Sequence, residues 1–259
     1  MDRRREVRRG MKSGIDSGWF RRYEAVAPRG RVLILPHAGG SAAYFHRWGR
    51  AFGEDTEVLV ARYPGRHVRI DEPFVLRMDE LADAVTEALL PFLDLPLSLF
   101  GHSMGASLAY EVALRLEARH SVRPAGLHVS SRKAPHRLTP TSLYREDDDA
   151  LVAEVHRLGG TEGVPLDDPA LRAMVLPAIR ADFTIVGTYG PRPAVPVGCP
   201  VHGYVGDRDP SITEAEMSAW ADVAPHGYGQ QVFPGGHFYL ADRRDALIGA
   251  IGGSLAGAR

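Results

Sequence analysis

The chain is predicted to be an α/β protein, with a mostly parallel central sheet flanked by helices and a helical insertion in its second half. Three observations carry this. Short apolar runs alternate with longer segments whose apolar residues recur every three or four positions, as strands and amphipathic helices do in turn. Several runs stop at glycine or proline, where a strand gives way to a loop. The alternation lapses only between about residues 135 and 198, where helical periodicity continues and no strand is evident.

Arg31 to Leu35, RVLIL, is the first clear strand, and it feeds the loop Pro36-His37-Ala38-Gly39-Gly40. Tyr44 to Phe52 is expected to be helical. Glu57 to Tyr63, EVLVARY, reads as a strand stopped by Pro64-Gly65. Met78 to Leu93 places Leu81, Val85, Leu89 and Phe92 on one helical face. Leu97 to Phe100 is a strand, and the helix after it repeats Leu108, Val112 and Leu116. Gly126 to Ser130 is another strand. Within the insertion, Glu146 to Leu158 carries Leu151, Val155 and Leu158 on one side. Asp168-Pro169 is a cap followed by proline at the first helical position, opening a helix through Met174, Ile179 and Phe183 that Pro177 should kink. The sheet resumes at Val201 to Val205. A helix from Thr213 to Val223 follows, with Met217 and Trp220 inward, then a strand from Gln230 to Phe233 and a helix from Asp242 to Leu255.

A chain of 259 residues can hide roughly three quarters of its unfolded surface, and residues 17–259 are expected to form one domain. The composition is 44% hydrophobic and 24% charged with a net charge of −1, which argues against nucleic acid as a partner. The single cysteine, Cys199, rules out an internal disulfide and a four-thiolate zinc site; it is expected to be a small buried hydrophobe. No segment reaches the roughly 20 apolar residues of a membrane helix. Residues 1–16 are basic with no apolar stretch behind them, so a disordered tail is expected rather than a secretory signal, and the cytoplasm is the expected compartment.

The chemistry centres on Gly101-His102-Ser103-Met104-Gly105, a G-x-S-x-G pattern at the junction of an apolar strand and a helix. The pattern alone is weak in a chain with 28 glycines. A serine hydroxyl needs a neighbouring base, and the base an orienting acid. In the α/β-hydrolase fold the serine sits on a strained strand-to-helix turn, and its partners follow in the order serine, acid, histidine. Both follow here. Asp209 comes just after the strand VHGYV, and His237 just after QQVF, so both belong at carboxyl ends of strands, where open parallel sheets place ligands. Asp207 is the rival acid; Asp209 is preferred because it precedes proline and lies deeper in the loop, leaving Asp207 to brace it. His102 should point into packing, and His37 should brace the glycine loop. Acyl transfer also needs donors for an oxyanion. The N–H of Met104, after the nucleophile, is the first, and that of Ala38 the second.

The sequence resembles the stand-alone type II thioesterases that accompany polyketide synthases and nonribosomal peptide synthetases. The matching pieces run from about residue 17 to the end: SGWFRRY, LPHAGGSA, ARYPGR, FGHSMGA, LGGT, RADF, GDRDP and FPGGHFYL. The resemblance implies hydrolysis of acyl thioesters held on the phosphopantetheine arm of acyl or peptidyl carrier proteins, clearing stalled or aberrant groups. It implies no metal and no cofactor of the enzyme's own, and a mobile lid where the insertion lies. Two other readings share the site: a carboxylesterase or lipase acting on oxygen esters, and a non-catalytic binding protein of the same fold. An acyltransferase of the malonyl-transfer type would begin with a GQGSQ loop, which the sequence lacks.

Overall fold

The computed structural model describes residues 18–160, 166 and 168–257; the basic segment 1–16 and Thr161 of LGGT lie outside the described residues. Seven strands form one sheet: β1 (Phe20–Tyr23), β2 (Gly30–Leu35), β3 (Thr56–Ala61), β4 (Leu97–His102), β5 (Gly126–Ser130), β6 (Val201–Gly206) and β7 (Tyr228–Phe233). Their spatial order is β1-β3-β2-β4-β5-β6-β7. All neighbours are parallel except β1, which runs antiparallel to β3. The helices are α1 (Met78–Leu89), α2 (Met104–His120), α3 (Asp148–Leu158), α4 (Pro169–Thr188), α5 (Glu214–Met217) and α6 (Arg244–Gly257).

The central strands are apolar at nearly every position because both faces are covered. Leu33, Leu35, Leu59, Leu99 and Val129 face α1 and α2, packing against Leu81, Val85, Leu108 and Val112. The alternate residues Val32, Ile34, Val58, Val60 and Phe100 face the other way, onto Phe45, Trp48, Leu247 and Ile251. A third cluster lies within the insertion, where Leu151 and Val152 of α3 meet Leu176, Ile179 and Phe183 of α4. Cys199 is buried just before β6, and burial pushes its thiol up to about 12. No helix among the described residues is long and apolar enough to cross a membrane.

The strand order fixes where the site falls. β3 lies on one side of β2 and β4 on the other, so the loops leaving β2 and β4 diverge and open a crevice at the sheet's carboxyl edge. The HAGG loop and Ser103 are those two loops.

Several elements depart from the sequence reading. Phe20–Tyr23 forms an edge strand that was not expected: Phe20 and Tyr23 are buried on opposite faces, with Arg21 and Arg22 between them, so the segment shows no clean alternation. Its Arg22 is held by Glu57 at 2.6 Å. Tyr44 to Phe52 is a series of turns closed by three-residue bonds, such as His46 N to Ala43 O at 3.1 Å and Trp48 N to Phe45 O at 3.0 Å. Phe45 and Trp48 are both buried as one helical face would bury them, but the backbone closes through three-residue turns and not through a regular α-helix. The segment from Thr213 is a single α-turn, capped reciprocally by Thr213 and Glu216, that tightens into a 3₁₀ helix over Ser218–Val223; Met217 and Trp220 are inward as expected. The helix from Met78 ends at Leu89, and Pro91 carries the chain on as a 3₁₀ turn. In the insertion, Asp168 accepts from the N–H groups of Ala170 and Leu171 at 2.8 and 3.0 Å. α4 continues as one helix through Pro177.

Candidate active site

Ser103 ends β4 and begins α2 with φ +55° and ψ −117°, the conformation of the first central residue of a type II′ turn, which normally belongs to glycine. The flanking glycines make the turn possible. A Cβ on Gly101 would lie 2.0 Å from the Gly105 carbonyl oxygen, and one on Gly105 would lie 1.9 Å from that of Leu35. Only bare backbone lets β4, α2 and β2 approach this closely. Ser103 N–H donates to Ser130 O at 2.8 Å, which pins the turn to β5.

His237 and Asp209 come together across the ends of β6 and β7. His237 Nδ1 is 2.9 Å from Asp209 Oδ2 and 3.1 Å from Oδ1. Their side chains are 3% and 0% exposed. Ser211, which sequence reasoning missed, completes the cluster: its hydroxyl donates to Asp209 Oδ1 at 2.7 Å and lies 3.0 Å from His237 Nδ1. Burial alone would raise the Asp209 carboxyl, but the bonds from His237 and Ser211 outweigh it and hold it below its ordinary value. Asp207 takes the bracing role: its carboxylate accepts from Gly235 N–H at 2.8 Å, fixing the loop that carries His237. Ser103 and His237 line one cavity of about 680 Å3. Among the described residues the serine hydroxyl forms no hydrogen bond with the imidazole, and such bonds often tighten only when substrate binds.

The loop after β2 is positioned by residues whose role spacing did not reveal. Arg66 of YPGR and Asp182 of RADF form a buried two-pronged ion pair at 2.6 and 2.7 Å. Asp182 Oδ2 also accepts the N–H of Gly39 at 2.7 Å, and Arg66 reaches Gly40 O at 3.3 Å. Tyr63 OH donates to Pro36 O at 2.9 Å. Two motifs distant in the chain thus clamp the HAGG loop to α4. The N–H groups of Ala38 and Met104 donate to no protein acceptor among the described residues. Burial alone would lower the Arg66 guanidinium, but the adjoining Asp182 more than offsets this, so Arg66 stays charged. Removing one charge from such a pair strands the other. Asp182→Asn is therefore expected to destabilise the fold by about 3–5 kcal/mol, a fall in Tm of roughly 10 °C. A thermal melt within 2 °C of the parent would count against the clamp.

The other histidines near the serine are packing groups. His102 is fully buried, with Nδ1 2.9 Å from Ser130 Oγ, which in turn bonds Tyr239 OH at 2.7 Å. His37 packs edge-on against Tyr44 and Phe238, and its carbonyl accepts Gly40 N–H at 2.9 Å. His128, in β5, stacks on His202 and meets Tyr204 OH at 2.8 Å. Burial, with smaller contributions from His237 and Arg66 at His37 and from His202 at His128, lowers both His37 and His128 to about 3. Burial also takes His102 well below its usual value. The unfolded chain protonates these groups near 6.5 while the fold resists, so stability is complete above that pH and is lost as pH falls toward 3. His37 and His128 each contribute about 1.4 kcal/mol per pH unit across that window, and His102 acts in the same direction. Thermal melts from pH 8 to pH 4 are expected to be flat above about 6.5 and to fall steeply below it; a flat profile down to pH 5 would contradict the burial of neutral imidazoles.

The family model of the thioesterase domain matches residues 30–255. The chain belongs to the thioesterase family. It is 41% identical over 245 residues to thioesterase PikA5 of Streptomyces venezuelae, covering 93% of this chain and 87% of that one. Among solved structures it is similar to the type II thioesterase BorB from the borrelidin biosynthetic cluster, with 40% identity, a TM-score of 0.84, and coverage of 92% of this chain and 97% of that one. It is also similar to the RedJ thioesterase of the prodiginine pathway in Streptomyces coelicolor, with 34% identity, a TM-score of 0.83, and coverage of 88% and 91%.

The thioesterase has the α/β-hydrolase fold, and its cavity lies between the sheet edge and the insertion. Leu143, Val155, Ile179 and Phe183 supply apolar wall from the insertion, while Ser103, Ser131 and His237 supply the polar floor. A chamber with apolar wall and a few convergent polar groups suits a small, partly apolar ligand.

Proposed function

We propose that this thioesterase hydrolyses acyl thioesters carried on the phosphopantetheine arm of acyl or peptidyl carrier proteins, clearing stalled or aberrant groups in polyketide or nonribosomal peptide biosynthesis. The supporting observation is the joining of one apolar chamber to Ser103 at its elbow and to the His237–Asp209–Ser211 cluster. Asp209 accepts from Nδ1 of His237, which leaves Nε2 free to take the Ser103 proton as the hydroxyl attacks the thioester carbonyl. The N–H groups of Ala38 and Met104 receive the oxyanion, where one lost donor typically costs about 3–4 kcal/mol of barrier. His237 returns the proton to the departing thiol. Water then enters and gives a proton to His237 as its oxygen attacks the acyl carbonyl; His237 passes that proton to the departing Ser103 oxygen, which releases the free acid and restores the serine. The pantetheine belongs to the substrate, and no step needs a metal or a cofactor of the enzyme. The insertion, α3 and α4 included, acts as a lid that opens for the arm.

The test is a comparison of kcat/KM on an acyl group presented by a loaded carrier protein and as its p-nitrophenyl ester. The carrier thioester is expected to be the better substrate. A preference for the oxygen ester would favour a carboxylesterase instead.

A further inference from the structure

His37, Ala38, Gly39 and Gly40 form one β-turn, closed by Gly40 N–H donating to His37 O at 2.9 Å. Gly39, third in the turn, has φ +74°, while Ala38 keeps to negative φ. That combination is the type II turn. It differs from the commoner type I in its middle peptide, which is turned over. Here that peptide carries the Ala38 carbonyl and the Gly39 N–H. Glycine in third place permits either form, so the loop sequence alone does not fix which way the peptide faces.

The insertion fixes it. Gly39 N–H donates to Asp182 Oδ2 of α4 at 2.7 Å. Ile179, on the same face of α4 as Asp182, also meets Gly39: a Cβ there would fall 2.9 Å from Ile179 Cγ1. Glycine thus suits both the φ and the close approach of α4. The groups on either side are held as well, since Tyr63 OH donates to Pro36 O at 2.9 Å and Arg66 Nη1 donates to Gly40 O at 3.3 Å. Between them the Ala38 N–H has no protein acceptor among the described residues, and Ala38 lines the cavity with Ser103. The acceptor is buried, and Arg66 grips both its oxygens at 2.6 and 2.7 Å. A lone carboxylate beside a developing oxyanion would repel it. Paired with Arg66, Asp182 remains a strong acceptor for an N–H while the pair carries no net charge.

We propose that Asp182 is a positioning residue for the reaction: by holding the middle peptide of the His37–Gly40 turn, it aims the Ala38 N–H at the oxyanion. The insertion then takes part in the chemistry as well as covering the chamber. This rests on the reading given above, in which the N–H groups of Ala38 and Met104 receive the oxyanion.

Two charge-free double variants isolate the hydrogen bond. Arg66→Met with Asp182→Leu leaves Gly39 N–H without an acceptor, and apolar side chains of similar size are tolerated in place of a buried ion pair. Arg66→Met with Asp182→Asn carries the same charge but keeps an amide oxygen for Gly39 N–H. On butyryl-pantetheine the leucine variant is expected to lose about 10²–10³-fold in kcat, the effect of one oxyanion donor, with KM within about threefold of the parent. The asparagine variant should recover most of that loss. Binding gives the second readout. With the trifluoromethyl ketone analogue of the substrate, Ser103 Oγ bonds to the ketone carbon, the serine proton passes to His237, and the carbonyl oxygen becomes an oxyanion. The carboxamide analogue binds without that charge. The leucine variant should lose ketone affinity in step with kcat and keep its affinity for the carboxamide. Equal kcat in the two variants would overturn the proposal, because the bond to Gly39 would then not matter. Equal losses on ketone and carboxamide would also overturn it, because the chamber itself would be deformed. A parent that cleaves p-nitrophenyl butyrate but no thioester would remove the thioesterase reading alone, and the same contrasts are then read on the oxygen ester, which forms the same oxyanion. A parent active on neither would remove both. Should the variants not fold, amide hydrogen exchange in the parent decides: Gly39 must be protected in the free enzyme and in the ketone adduct alike, and Ala38 must gain protection only in the adduct. A Gly39 amide that exchanges as fast as an open loop refutes the positioning.

Discussion

Ser103→Ala is expected to lower kcat/KM by at least about 10⁴-fold with a melting temperature close to that of the parent. The alanine methyl occupies the same space as the serine Cβ, and the hydroxyl makes no structural bond among the described residues. Ser103→Gly separates function from strain more sharply. At φ +55° and ψ −117° a side chain costs about 1–3 kcal/mol, and glycine loses that penalty while adding up to about 1 kcal/mol of chain entropy. The glycine variant should therefore be as inactive as alanine and melt roughly 2–4 °C higher. Near-parental hydrolysis by either variant would exclude Ser103 as the nucleophile. A glycine variant melting below the alanine variant would mean that the elbow holds no strain.

The second large effect is at the acid. Asp209→Asn is expected to cost about 10⁴-fold in kcat, because an amide facing Nδ1 no longer stabilises the imidazolium that forms during attack. Asp207→Asn is the control. Its side chain meets Gly235 N–H, which an amide oxygen can still accept, so kcat should stay within a fewfold of the parent. Measuring both on one thioester decides between the two aspartates; an inactive Asp207→Asn beside an active Asp209→Asn would reverse the assignment. Ser211 sharpens the contrast, since its hydroxyl bonds Asp209 at 2.7 Å and helps to hold the carboxylate in place.

Much of this site is legible in one dimension. The serine elbow needs small residues at fixed offsets from the nucleophile, and chain order places an acid and a histidine after later strands. A parallel sheet delivers all such loops to one edge, so Asp209 and His237 could be named without coordinates. The places of most strands were legible too: β5 spans Gly126–Ser130, the run the sequence marks, while β3 ends at Ala61 and not Tyr63, and β7 begins at Tyr228 and not Gln230. Less was visible where packing overrode local preference. Tyr44 to Phe52 reads as helix, and Phe45 and Trp48 do share one buried face, but its hydrogen bonds close three-residue turns instead. Phe20–Tyr23 belongs to the SGWFRRY motif but shows no strand periodicity, and it is a strand through its antiparallel pairing with β3.

What the sequence determined by itself is the class of fold, most of its strands and helices, and a candidate nucleophile with two candidate partners, since these follow from periodicity and from glycine at places where no side chain fits. The tertiary structure alone decided which distant charges meet. Arg66 finds Asp182 and so clamps the glycine loop, and Ser211 joins the acid. Chain spacing encodes what lies near along the backbone. A buried charge is satisfied by whatever the sheet and its insertion bring alongside it, and that is settled only when the layers close.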